Sequence, residues 1–219
     1  MIKKSALILS VLFIFACICS QSMANDKVEQ AIGNLNSSNN NTRMEGIRIL
    51  TTVDSGRSTE GLIAGLNNMD ETIRYLSIFE LSKRAKESET SNRAIEGLIA
   101  GLNNQDSDIR LKAVKGLAEI NTARSTEGLI SALNCPDISV QMVSIYGLAE
   151  RAKNTFTAER AIEGLISALD NSNTEIRITS VKALSDVKAE RAKEGLKKAL
   201  NDPDSKVKVL AKRGLTRYE

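Results

Sequence analysis

The sequence predicts an all-α chain built as a solenoid of six stacked helix pairs. Three observations predict it. The first is a repeat: Glu-Gly-Leu recurs at Glu60, Glu96, Glu127, Glu163 and Glu194, after a degenerate Glu29-Gln30-Ala31, at spacings of 31, 36, 31, 36 and 31 residues. Periods in this range mark arrays whose units bury a core only against their neighbours. The second is helical periodicity within each repeat. The third is composition: 42% apolar but 3% aromatic, no Trp and two prolines, which suits a Leu/Ile/Val/Ala core between helices.

The first 24 residues are a different kind of text. Lys3 and Lys4 precede the apolar run Ala6–Ser20, and Ser22-Met23-Ala24 places small residues at −3 and −1 of a cleavage site. This reads as a secretory signal peptide, too short for the roughly 20 residues of a membrane span. Two readings stand. One is cleavage after Ala24 and a soluble exported chain, periplasmic or secreted, over residues 25–219. In the other, Ile14-Phe15-Ala16-Cys17 acts as a lipobox and Cys17 becomes a lipid anchor. With Cys17 and Cys19 in the leader, Cys135 stands alone in the turn Asn134-Cys135-Pro136-Asp137, so no internal disulfide is expected.

Repeats begin near residues 29, 60, 96, 127, 163 and 194. Helix A of each carries Leu35, Leu66, Leu102, Leu133, Leu169 and Leu200 in register. The turn that follows holds Asp70, Asp106, Asp137 and Asp204, or Asn39 and Asn173, which are suited to cap helix B. Helix B then shows an i, i+4, i+8 face, for example Ile109, Ala113 and Leu117. One residue after its first apolar position comes Arg43, Arg74, Arg110, Gln141, Arg177 or Lys208. These residues and the turn aspartates suggest a ladder of charge-assisted hydrogen bonds between repeats. Recurrent glycines (Gly61, Gly97, Gly128, Gly164, Gly195) point to close helix contacts. The longer repeats add five residues after helix B, ESETS and NTFTA, read as lengthened edge loops.

The last repeat replaces apolar positions by Lys197 and Lys212, as expected of a solvated terminal cap that also includes Lys198, Lys206 and Arg213. The stretch Asp106-x-Asp-Ile-Arg-Leu-Lys-Ala-Val-Lys-Gly-Leu117 resembles the second helix of a HEAT repeat, in the bacterial variety named after phycobilisome lyases. The resemblance returns six times between residues 29 and 219. It implies a right-handed α-solenoid of six HEAT-like helix pairs, arranged as three 67-residue double repeats, with the second helices lining the concave side.

The sequence offers little to chemistry. It has no histidine, no cysteine cluster and no phosphate-binding glycine loop, so no catalytic residue, metal or cofactor is predicted. Setting Lys3 and Lys4 aside, 28 basic residues are intermixed with 27 acidic ones, and no block of charge points to nucleic acid. A partner surface is better supported. On the exposed face of helix B the longer repeats place Tyr75, Leu76 and Phe79, then Met142, Val143 and Tyr146. The shorter repeat between them places Lys112 and Lys115. Exposed apolar groups on a solenoid face mark a partner site. The expectation is a monomeric, non-enzymatic, exported scaffold for a protein or peptide, with no membrane span in the mature chain. Alternatives are a lyase-like role in tetrapyrrole attachment, implied by the resemblance, and a structural or inhibitory envelope protein.

Overall fold

A computed structural model describes residues 22–154 and 156–218. The signal peptide and Cys17 readings fall almost wholly outside these residues. The regular structure among them is helical: α1 over residues 22–34, α2 (Asn40–Thr52), α3 (Gly56–Gly65), α4 (Glu71–Glu87), α5 (Ser91–Gly101), α6 (Ser107–Ala118), α7 (Ala123–Ala132), α8 (Ile138–Asn154), α9 (Ala158–Ser167), α10 (Thr174–Ser185), α11 (Glu190–Ala199) and α12 (Ser205–Leu215). Odd-numbered helices are the A helices and even-numbered ones the B helices of an α-solenoid. None of the described helices is long and apolar enough to cross a membrane.

Two compact units divide at Glu80/Leu81. In the first, Val28, Ala31, Leu35, Ile47, Leu50 and Leu62 are buried between α1, α2 and α3. In the second, each A helix packs on its own B helix, and neighbouring B helices pack more extensively on each other than neighbouring A helices do. The B layer is thus the inner one within this unit. Small residues allow that approach: a Cβ on Gly147 of α8 would lie 3.3 Å from Ala118 Cβ of α6, and one on Gly214 of α12 3.1 Å from Ser185 Cβ of α10. The buried mid-helix Ser144 faces its own A helix and donates to the Leu129 carbonyl. The glycine after each recurrent glutamate serves the A layer. A Cβ on Gly128 would lie 2.9 Å from Ile99 Cγ1 and 3.0 Å from Leu117 Cδ1, and Gly61, Gly164 and Gly195 meet equivalent Ile and Leu side chains.

The turns between A and B helices hold the repeats in register. Asn39, Asp70, Asp106, Asn173 and Asp204 accept backbone N–H bonds at the starts of their B helices, as the sequence predicts. The helix B arginine does two things at once. Arg110 donates from Nη1 to the Asn104 and Gln105 carbonyls at 2.6 and 2.9 Å, and from Nε and Nη2 to both Asp137 oxygens at 2.5 and 2.9 Å. It therefore closes its own turn and grips the next. Arg43 does the same with the Ser37 and Ser38 carbonyls and Asp70. In the fourth repeat, Gln141 donates to the Cys135 carbonyl at 2.7 Å and accepts from Asn171 at 3.3 Å. The expected pairing needs one correction. Arg177 binds Asp202, at 2.8 and 3.1 Å, rather than the capping Asp204. Asp202 stands where Asn68, Asn104 and Asn171 stand elsewhere, and a carboxylate there reaches the guanidinium first.

Cys135 occupies that same turn position. Its thiol is 7% exposed and donates to the Leu102 carbonyl of the preceding repeat at 3.3 Å, as Asn68 donates to the Leu35 carbonyl at 2.9 Å. Burial and the nearby Asp137 charge push its pKa up.

The five-residue insertions are not lengthened loops. Helices α4 and α8 run 17 residues, whereas α6 and α10 run 12. The connection after α4 is residues 88–90, no longer than residues 119–122 after α6. The insertion went into helix because the added turn delivers a buried arginine. Arg151, 3% exposed, donates to the Leu117 carbonyl at 2.7 Å, to the Ile120 carbonyl, and to Thr126 Oγ1 at 3.1 Å. It thereby adds a charged donor to carbonyls at the end of α6 that also accept the Ile120 N–H, at 3.3 Å, and the Ser125 hydroxyl. Burial pulls its pKa down to about 10, so it stays charged at neutral pH. Arg84, 2% exposed, is buried at the same position of α4. After α12 the role passes to other chemistry: Arg217 donates to Asp186 at 2.7 Å and the Tyr218 hydroxyl to the Val187 carbonyl. The start of α7 is further fixed by a capping box between Thr122 and Ser125, and that of α3 by one between Ser55 and Ser58.

Three outcomes are expected. Arg151→Met removes a buried charged donor shared by the Leu117 and Ile120 carbonyls and Thr126 Oγ1, and should destabilise the chain by about 1–3 kcal/mol in urea titrations. Hydrogen exchange should quicken first at residues 119–126. Second, Arg110 holds the Asp137 carboxyl below its ordinary pKa. The stability it contributes is present above the unfolded value, roughly pH 4, and is lost as pH falls through the depressed folded value. Asp137→Asn should remove that increment, so its stability should fall less steeply on acidification below pH ~4 than that of the wild type. Third, Cys135 should react with Ellman's reagent at least about tenfold more slowly in the native chain than in urea.

Candidate functional site

The recurrent glutamates are the most conspicuous carboxylates in the sequence, and the structure gives them a scaffolding task. Arg124 on α7 reaches back to Glu96 on α5 (2.7 Å from Nη2), and Arg160 on α9 to Glu127 on α7 (2.9 Å). In the first unit Arg57 on α3 reaches Glu29 on α1. Arg160 also pairs with Glu163 in its own helix, and Arg191 with Glu194. Arg124 and Arg160 hold the Glu96 and Glu127 carboxyls below their usual pKa range, the wrong direction for a general acid. This outer ladder escaped the sequence reading, although an arginine three residues before Glu60, Glu96, Glu127, Glu163 and Glu194 was its signal. Among the described residues no group of three His, Cys, Asp or Glu is placed to hold a metal ion.

The exposed face of the B helices is different in kind. In the first unit, α4 half-buries Tyr75 and Leu76 and leaves Phe79 69% exposed. In the second, α6 exposes Lys112 and Lys115, while α8 half-buries Met142 and Val143 and leaves Tyr146 58% exposed. Helices α6 and α8 are neighbours in the inner layer, so these five residues share one face.

That face continues further than the sequence reading took it. Six residues past the first core position of each B helix come Lys115, Tyr146, Lys182 and Arg213, all exposed. A parallel row, two residues past that position, runs Leu111, Met142, Ile178 and Val209, with Val209 49% exposed. Tyr146 and Lys182 line one open depression of about 260 Å³ together with Met142. Lys182 and Arg213 line the next, with Ile178 and Val209. Reading Arg213 and Lys206 as a solvated cap hid this continuity. The register that Arg213 shares with Lys115 and Lys182 was the signal that could have revealed it.

Comparison with known proteins bears on the scaffold. The family model described as HEAT repeats matches residues 59–148 and 126–216. No curated protein matches the chain. Among solved structures, Cex1p is 14% identical with a TM-score of 0.58, over 90% of this chain and 43% of that one. The complex of CpcE and CpcF of phycocyanin lyase from Nostoc sp. PCC7120 is 25% identical with a TM-score of 0.47, over 73% of this chain and 65% of that one. A designed armadillo repeat protein in complex with the peptide (KR)4 is 15% identical with a TM-score of 0.46, over 87% of this chain and 98% of that one. With helix pairs, turn ladder and family match in agreement, the chain belongs to the HEAT-repeat family.

Proposed function

We propose that this chain is an exported, non-enzymatic scaffold that binds a protein or peptide through the exposed sides of its second helices. The observation that carries the reading is the exposure of Phe79 and Tyr146 at the same register of the two long helices. Each is a large ring on a surface where burial was available, and such groups anchor interfaces at low entropic cost. Apart from Ile138 and Val209, the other large apolar residues of the B helices are buried or half-buried, so two exposed rings at one repeat position call for a use. Export rests on the leader in residues 1–24. Cleavage after Ala24 would remove no buried side chain among the described residues, since residues 22–27 are exposed and Val28 is the first buried one.

The test is the Phe79→Ser, Tyr146→Ser double variant. Surface substitutions shift stability by about 0.5 kcal/mol or less, so its melting temperature should stay close to the wild type. Capture of specific partners from the exported fraction, quantified by mass spectrometry, should be lost. Unfolding of the variant would place the two rings in the core and overturn the reading, as would retention of every wild-type partner. The lyase-like alternative predicts instead a shift in visible absorbance when a linear tetrapyrrole is added.

A further inference from the structure

Lys115, Lys182 and Arg213 share one register of the B helices within residues 81–219. Most arginines of this unit are engaged: Arg110, Arg124, Arg160, Arg177, Arg191 and Arg217 all pair with carboxylates. Lys115, Lys182 and Arg213 make no ion pair among the described residues, although all three lie on one row of the inner layer. The carboxylates beside them are largely spoken for: Glu150 pairs with Lys153 and Asp186 with Arg217. Glu175, in the first turn of α10, lines both depressions beside Lys182. The row thus sets three cations against this one carboxylate, a net positive charge, and is broken once by the exposed ring of Tyr146. Beside it runs an apolar row in which Leu111 and Met142 are half-buried, Ile178 is buried and Val209 is exposed.

From this pattern we infer that the α6–α12 face takes an extended acidic segment of a partner protein, carboxylates on Lys115, Lys182 and Arg213 and an apolar side chain on Tyr146. The inference rests on the binding role proposed above and names its ligand. Packed helices lie about 8–10 Å apart and an extended peptide rises about 3.3 Å per residue, so the segment advances roughly three residues per B helix. Acidic residues at positions 1, 7 and 10 and an apolar one at position 4 would then meet the four row residues in turn. A nucleic acid fits less well. Its phosphates leave the apolar row without a partner, and a single ring interrupts the cations where a polyanion needs continuous charge.

The experiment is fluorescence-anisotropy titration of the whole chain. The probe is a labelled ten-residue peptide with Glu at positions 1, 7 and 10 and Leu at position 4 on a Gly/Ser background, made in both chain directions. A counterpart carries Lys for Glu. The Glu peptide should bind, more weakly as salt rises, and Lys182→Glu should weaken it by about tenfold or more. Equal binding of the Lys counterpart overturns the inference, as does indifference to both Lys182→Glu and Arg213→Glu. Tighter binding of a single-stranded oligonucleotide or of anionic phosphatidylglycerol vesicles also overturns it. If Tyr146→Ser abolishes partner capture while Lys182→Glu changes nothing, the binding face stands and only its acidic ligand is wrong. If neither variant has an effect, both readings fall.

Discussion

The arginine one residue into the core face of four of the six B helices is the constraint from which the rest of the array follows. A single guanidinium has donors enough to satisfy two turn carbonyls behind it and a carboxylate ahead of it, as Arg110 does with Asn104, Gln105 and Asp137. A lysine offers a point charge without the planar fork, and the role falls to arginine in every repeat with a following one except the fourth, where Gln141 bridges the two turns. Because the same group fixes its own turn and the next, the relative position of neighbouring helix pairs within a unit is set at one point. The glycines and small residues then allow the helices to close to contact around it.

The alternation of 31 and 36 residues has a physical origin in a second buried arginine. The end of a short B helix exposes carbonyls to the core, and its connection to the next A helix is only four residues long. The following B helix is extended by a turn and a half, which brings Arg151 over the Leu117 and Ile120 carbonyls. A short repeat and the long one after it are therefore chemically complementary, the one leaving acceptors and the other supplying the donor. Around α10 the same acceptor, the Val187 carbonyl, is met by the Tyr218 hydroxyl. The task is the same while the donor differs.

Scaffold and recognition are divided between the two helices of each pair. A helices spend their charges on each other through the Arg–Glu ladder, at half-exposed sites where each pair adds little stability. Repeated along the layer, these pairs cancel its charge. B helices leave Lys115, Tyr146, Lys182 and Arg213 unspent on the inner face. The residues that recur with the repeat are thus structural, and those that vary at fixed register give the face its character.

Much of this was legible before any coordinates. Period, helical register, turn caps, the role of the glycines and the use of Arg43 and Arg110 follow from local chemistry written once and repeated six times. Tertiary structure decided what local chemistry leaves open. Five polar residues after a helix look like a loop, because nothing in ESETS or NTFTA announces that an arginine three residues past a framework leucine needs a longer helix to reach its carbonyls. Asp202 and Asp204 are equal candidates in sequence, and only the position of the Arg177 guanidinium chooses between them. The row from Lys115 to Arg213 is likewise scattered over about a hundred residues of chain, and only stacking the helices side by side makes it a surface.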